Sequence, residues 1–383
     1  MRVTDGQRQP RVSWFEVFYD LVLVAAVLHG SHLFEESPSF AKGVWLSVTL
    51  LVLLTLWLLT TLTFNTLRKD WNLRRLLTLA QMMALVIASL SISRTSGLSD
   101  STGLVALAAA FGCVSILYWL EARGASPAPR GPRLIAISTT MAVVVCLIGA
   151  LFPESDAPLF VNPASIALCI AVALALVPMF TAYLGSLAKT GALDRDHLAE
   201  RMGQLVIIAL GESFADLIIS LGDFDSIPNP VYLVLTFVVI YALWAIYFRT
   251  VLPAGIPKSP GRVRGWIASH YLLLFGAIGT AAGLSALTVL PFDDTAVALA
   301  SFRLPLPLLY VMIAFLLLTW IAGIPDRRFL WVHVAAGALL LALTVAGATV
   351  FTDRALTTGV AAAAVVIADA AVSAWLGTRP AVS

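Results

Sequence analysis

Apolar residues run almost unbroken along the chain. Short polar breaks divide them into stretches long enough to cross the hydrocarbon core of a bilayer, about 30 Å, as an α-helix. Such stretches fall near 13–34, 40–64, 73–93, 101–120, 133–152, 163–188, 200–221, 230–251, 265–290, 304–323, 328–350 and 355–376. Backbone N–H and C=O groups find no partner in lipid, so each stretch predicts one membrane-spanning helix. The expected fold class is all-α: a polytopic membrane helix bundle of about twelve transmembrane helices. No break is long enough for a soluble domain, so any chemistry belongs inside the bundle or at its faces. A short arm, 1–12, precedes the first stretch, which is about twice the length of a signal-peptide core and is followed by no small-x-small cleavage pattern; it reads as a retained signal anchor.

Composition sharpens this picture. The 383 residues are 60% hydrophobic and 12% charged, where soluble domains carry about 25% charged residues. A net charge of +2 gives no field for nucleic-acid binding. The placement of the charges is more informative. Of the 24 lysines and arginines, the predicted outer side receives only Lys42, Arg94, Arg303 and Arg354. Glu35, Glu36, Glu154, Asp156, Asp223, Asp225, Asp293 and Asp294 gather on that same side. By the positive-inside rule both termini are expected in the cytoplasm, with the chain in the cytoplasmic (plasma) membrane.

The two ends of the pattern echo each other. WFEVFYDLVLVAAVLHGSH near the start and LAERMGQLVIIALGESFAD near the middle align at an offset of 184, pairing Glu16 with Glu200, Asp20 with Gln204 and His32 with Asp216. This predicts two parallel six-helix repeats, 1–188 and 189–383, related by an axis along the membrane normal.

Ionisable side chains inside a span cost about 2.5–3.5 kcal/mol on insertion scales, so each needs a partner or a wet cavity. Glu16 and Asp20 stand at i,i+4 on one face of the first helix, and Glu200, Gln204, Glu212 and Asp216 form a stripe climbing the seventh. Glu212, deep in its span within Leu-Gly-Glu-Ser, invites proton-linked binding or, alternatively, a structural hydrogen bond between helices. Glu16 and Glu200 read equally as caps near the helix starts. His270 lies in SHYLLLFGAIGTAAG, whose small residues permit close helix contact, and Gln81 and Asp369 read as interhelical hydrogen-bonders. His29 and His32 form an HxxH pair, yet no third ligand stands at a recognisable spacing, and Cys113, Cys146 and Cys169 have no CxxC arrangement. No metal site and no cofactor are therefore expected. All four lysines fall in loops, and Walker A, GxSxG and CxxCH motifs are missing, which weakens Schiff-base, ATP-driven, lipase-like and c-type haem readings.

With FEVFYDLVLVAAVLHGSH in the first helix, ERMGQLVIIALGES in the seventh and the histidine-bearing ninth span, the chain resembles the bacterial low-temperature-requirement A family of membrane proteins over nearly its whole length. Glu16, Asp20, His32, Glu200, Arg201, Gly211, Glu212 and His270 are the positions matching that family's pattern. The resemblance implies a bacterial membrane protein connected with growth in the cold and leaves its biochemical activity open. The leading expectation is a secondary transporter or channel-like carrier, proton-coupled in one version, of an unidentified solute, ion or lipid. Its path would run past Glu16, Asp20, His32, Glu200, Gln204, Glu212, Asp216 and His270, with no catalytic residue assigned. An intramembrane lipid-modifying enzyme and a non-catalytic factor binding a lipid or partner protein are the alternatives. The bilayer is the one partner the pattern names, and assembly into oligomers is left open.

Overall fold

The computed structural model describes residues 13–36, 40–66, 72–92, 101–124, 130–152, 161–222, 230–289, 303–324, 326–350 and 355–377. Its twelve helices follow the apolar stretches: α1 Trp14–Glu36, α2 Phe40–Thr66, α3 Asn72–Ile92, α4 Ser101–Gly124 and α5 Arg130–Gly149. Then come α6 Pro163–Thr190, α7 Arg195–Leu221 and α8 Pro230–Ala254, followed by α9 Pro260–Val289, α10 Pro305–Ala322, α11 Arg327–Thr349 and α12 Ala355–Gly377. Eleven of these are long and apolar enough to cross a membrane. The other, α1, has 23 residues, about 34 Å of helix at 1.5 Å per residue. Among the described residues there is no strand. The arm 1–12 and the side chain of His32 lie outside the described residues.

Helix ends follow local chemistry. Asn162 and Asp194 cap α6 and α7, accepting from the N–H groups of Ala164 and His197 at 2.9 and 3.1 Å, and Pro163 and Pro305 occupy first-turn positions of α6 and α10 where a missing N–H costs nothing. Gly323, at φ 72°, ends α10 in the left-handed conformation that favours glycine. Two helices start earlier than hydropathy indicates, α7 at Arg195 and α9 at Pro260. Their polar first turns are helical, that of α7 capped by Asp194, although they contribute nothing to a hydropathy signal. Pro178 ends the regular part of α6, and one π-helical turn follows over Met179–Tyr183. A second π-turn, Tyr247–Val251, interrupts α8. Such turns relieve a broken hydrogen-bond ladder and often mark functional positions.

Packing is sequential, α3 on α4, α4 on α5, α5 on α6, and α9 on α10, α10 on α11, α11 on α12. The centre is where α1, α2, α7 and α9 meet. The α9–α10 contact is a close one: a Cβ built on Gly276 would lie 2.9 Å from the Val311 nitrogen and 3.0 Å from the Pro307 oxygen. Small residues thus let the two backbones touch, as in membrane bundles generally. The outer wall is apolar, with Leu76, Met83, Ile218, Trp320 and Trp331 among its exposed side chains, as expected of a surface solvated by lipid.

Candidate functional site

The first turn of α1 is a capping box. Ser13 and Glu16 answer each other, the Glu16 N–H donating to Ser13 Oγ at 3.3 Å while Glu16 Oε1 accepts from the Ser13 hydroxyl at 2.8 Å. The other oxygen of the same carboxylate turns to α7: Glu16 Oε2 lies 2.8 Å from His197 Nε2 and 3.7 Å from Arg201 Nε. One turn along α1, Asp20 Oδ1 accepts from Arg201 Nη2 at 2.8 Å and from the Trp57 indole N–H of α2 at 2.6 Å. Asp20 and Arg201 are fully buried. Arg201 also sits 5.7 Å from the centroid of the Trp57 ring, a cation–π contact in a desolvated setting, and reaches Thr61 Oγ1 at 3.5 Å.

These contacts form a two-rung ladder. Each rung joins residues 181 apart, Glu16 to His197 and Asp20 to Arg201, and within each helix the partners stand at i,i+4, so both rungs lie on one face of each helix and the two helices run parallel. The sequence offset of 184 aligned Glu16 with Glu200 and Asp20 with Gln204. In the structure, Glu200 is exposed on another side of α7, Gln204 is partly buried, and the groups that meet the α1 acids are His197 and Arg201, each three residues earlier. Arg201 looks from its position like one more interfacial cation, and His197 falls ahead of the apolar stretch. The available signal was the acid pair itself, since two carboxylates on one face of a spanning helix require hydrogen-bonding or cationic partners at matching spacing, and Asp194-x-x-His197-x-x-x-Arg201 supplies them.

A neutral relay continues beside the ladder. Gln81 of α3 donates to the Tyr19 hydroxyl at 3.1 Å and accepts from Thr60 of α2 at 3.0 Å, so Gln81 is an interhelical hydrogen-bonder. Glu212 and Asp216 are buried farther along α7, eleven residues and more from Arg201, about 16 Å of helical rise. The Asp216 carbonyl there accepts from Ser285 of α9 at 3.4 Å. His270 joins a different pair. Its Nδ1 lies 2.8 Å from the Trp266 carbonyl, which can only accept, so Nε2 is the acceptor of the Tyr247 hydroxyl at 2.9 Å. Tyr247 stands in the α8 π-turn, which positions its hydroxyl across the α8–α9 contact. The structure therefore brings Glu16 and Asp20 together with His197 and Arg201 of α7, places Glu212 and Asp216 higher on that helix, and gives His270 its own partner. His29 is half-buried. Among the described residues no group of three or more His, Cys, Asp or Glu side chains could hold a metal ion.

The sequence matches, over residues 11–370, the family described as Bacterial low temperature requirement A protein (LtrA). The chain belongs to this family. No curated protein matches it. The resemblance carried by the first and seventh helices is thus borne out across nearly the whole chain, and those two helices are the ones the buried ladder joins. Family membership and the many apolar helices together make this LtrA-family chain an integral membrane protein in contact with the lipid bilayer.

Proposed function

We propose that the protein is a secondary carrier or channel-like transporter of a small solute or ion in the bacterial cytoplasmic membrane, proton-coupled, with both termini in the cytoplasm and the α1–α7 interface as its coupling element. One observation carries the reading. The ladder holds two carboxylates, one guanidinium and one imidazole out of solvent, so with a neutral His197 it carries one negative charge too many, and one added proton closes the balance. A buried cluster whose charge changes sign of fit with a single proton is a suitable device for linking protonation to a helix rearrangement. In this reading Gln204, Glu212 and Asp216 continue the path along α7, with Glu200 and His32 at its approaches and His270 on the flanking helix. The two six-helix halves, 1–188 and 189–383, move against each other.

The test is flux. In proteoliposomes subjected to a pH jump, the wild type should move protons or a screened solute, and Glu212→Gln and Asp20→Asn should each reduce the rate at least tenfold. No flux in the wild type beyond that of empty liposomes, across screened solutes, would refute the carrier reading. Two adjoining open, apolar hollows of about 500 Å³ each, lined by Val231 and Tyr232 of α8 and Leu356 and Val360 of α12 in one and by Val234 and Val238 in the other, offer room for acyl chains and favour lipid contact as the second reading, as a bound or a modified molecule. Lipid profiles of a deletion strain separate the two, since a missing lipid product restored by the wild type but not by Asp20→Asn would favour the enzyme.

A further inference from the structure

A second buried histidine–carboxylate pair lies away from the ladder, between α11 and α12. His333 Nδ1 is 3.0 and 3.1 Å from the two oxygens of Asp369, and both side chains are buried. A carboxylate accepts, so Nδ1 carries the hydrogen, and in the neutral ring Nε2 is left as a basic lone pair. Among the described residues that Nε2 has no hydrogen-bond partner, and neither do the hydroxyls of Thr319 on α10 and Ser373 on α12. These residues are 0%, 3% and 4% exposed. A buried polar atom without a partner costs about 1–3 kcal/mol, and three in one region call for an occupant.

Helix register sets the three residues at neighbouring levels of the bundle. On α10 the His333 ring packs against Phe315, centroids 6.0 Å apart, and Thr319 stands at i+4 from Phe315 on the same face. On α12 His333 meets Asp369, and Ser373 stands at i+4 from Asp369. α10 and α12 both run antiparallel to α11, so both hydroxyls lie on one side of the imidazole, displaced by about one turn, roughly 5.4 Å, toward the face bearing the α10–α11 turn. The α11 residue at that level is Phe329, also buried. This level of the junction thus holds one nitrogen and two hydroxyls without partners, with Phe329 beside them.

The occupant must donate to the nitrogen and accept from the hydroxyls, while the Asp369 carboxylate disfavours an anion and a single nitrogen cannot hold a metal. Water meets these demands, and three polar partners are the usual number for a buried water. We propose that the α10–α11–α12 junction is an internal hydration site, in which Thr319 and Ser373 hold a water molecule against His333 Nε2 and Asp369 orients the imidazole as its proton acceptor. The other ionisable groups on these helices are Tyr310, Arg327 and Arg328, and Arg328 is committed to Asp326 at 2.6 Å. The site stands apart from the ladder and does not depend on the carrier reading.

Hydroxyl-radical labelling of the full chain in nanodiscs, read by mass spectrometry, tests this, because radicals generated at bound water oxidise the side chains beside it. His333 should label, after correction for intrinsic reactivity, at least fivefold above Phe111, an equally buried ring. The Thr319→Val/Ser373→Ala variant should lose that labelling and melt at a lower temperature, while Thr319→Ser, which keeps the hydroxyl, should label like the wild type and shows that the helix contact tolerates change. Labelling of His333 at the Phe111 level, labelling that survives removal of both hydroxyls, or a higher melting temperature in the double variant, as dry packing would give, overturns the proposal.

Discussion

Arg201→Met tests the ladder at its strongest point. The substitution keeps an unbranched side chain over Trp57 but removes the cation that lies 2.8 Å from Asp20 and 3.7 Å from Glu16. Asp20 would then stay fully buried with only the Trp57 N–H to satisfy its charge. Removing one partner of a buried pair costs about 3–5 kcal/mol, because the remaining charge is uncompensated. That is a large part of the roughly 5–15 kcal/mol that holds a typical fold. At about 2 °C per kcal/mol for a chain of this size, the melting temperature should fall by about 6–10 °C. Tryptophan fluorescence of the detergent-solubilised full chain during heating is a suitable assay. Asp20→Asn/Arg201→Met removes the orphaned charge and should recover more than half of the loss, a coupling of at least ~1.5 kcal/mol in the double-mutant cycle. A single variant within about 2 °C of the wild type, or a double variant equal to the sum of the singles, would refute the assignment of this pair as the energetic centre of the α1–α7 contact.

Other substitutions probe the surrounding contacts, each by the same melt. Gly276→Ala would push a Cβ into the Val311 and Pro307 backbone atoms and should destabilise by about 1–3 kcal/mol or more; Gly337→Ala on α11 meets nothing within 4 Å and should be neutral or gain up to about 1 kcal/mol from helix propensity. Equal effects at the two glycines would contradict the close α9–α10 approach. Tyr247→Phe removes the donor to His270 Nε2 and should cost about 1–3 kcal/mol, since the ring nitrogen is fully buried; an unchanged melt would place that hydrogen bond elsewhere. Gln81→Leu removes one hydrogen bond each from Tyr19 and Thr60, which keep each other and the Leu56 carbonyl as partners, and should cost less, about 0.5–1.5 kcal/mol, whereas a stabilised variant would show the relay to be dispensable.

The fold was legible because lipid imposes one rule on every residue of a span: the backbone must bond to itself, and the side chains must be apolar over some twenty positions. Helix starts were less legible where a polar first turn precedes the apolar part, as after Asp194 and Pro260. Half of the site could be read in the same way. Glu16 and Asp20 stand out because acids are expensive in a span, and Gln81 and Asp369 because a lone polar group there needs a neighbour. The neighbours themselves were hidden. Arg201 and His197 sit where positive charge is ordinary, so only the matching i,i+4 spacing marks them as partners, and Trp57 looks like any apolar ring until its N–H is found on Asp20. The pairing of Tyr247 with His270 depends on a π-turn, for which the sequence carries no simple signal.

The central claim is that α1 and α7 change their relation when the ladder gains or loses a proton. Spin labels at Leu21 and Ile207, both exposed on the outer wall, in a variant with Cys113, Cys146 and Cys169 replaced by alanine, report the distance between these helices by double electron–electron resonance. Two distance populations whose ratio shifts between about pH 7.5 and pH 5.5, with the shift lost in Glu16→Gln, is the predicted result. A single distance unchanged over that range would contradict it.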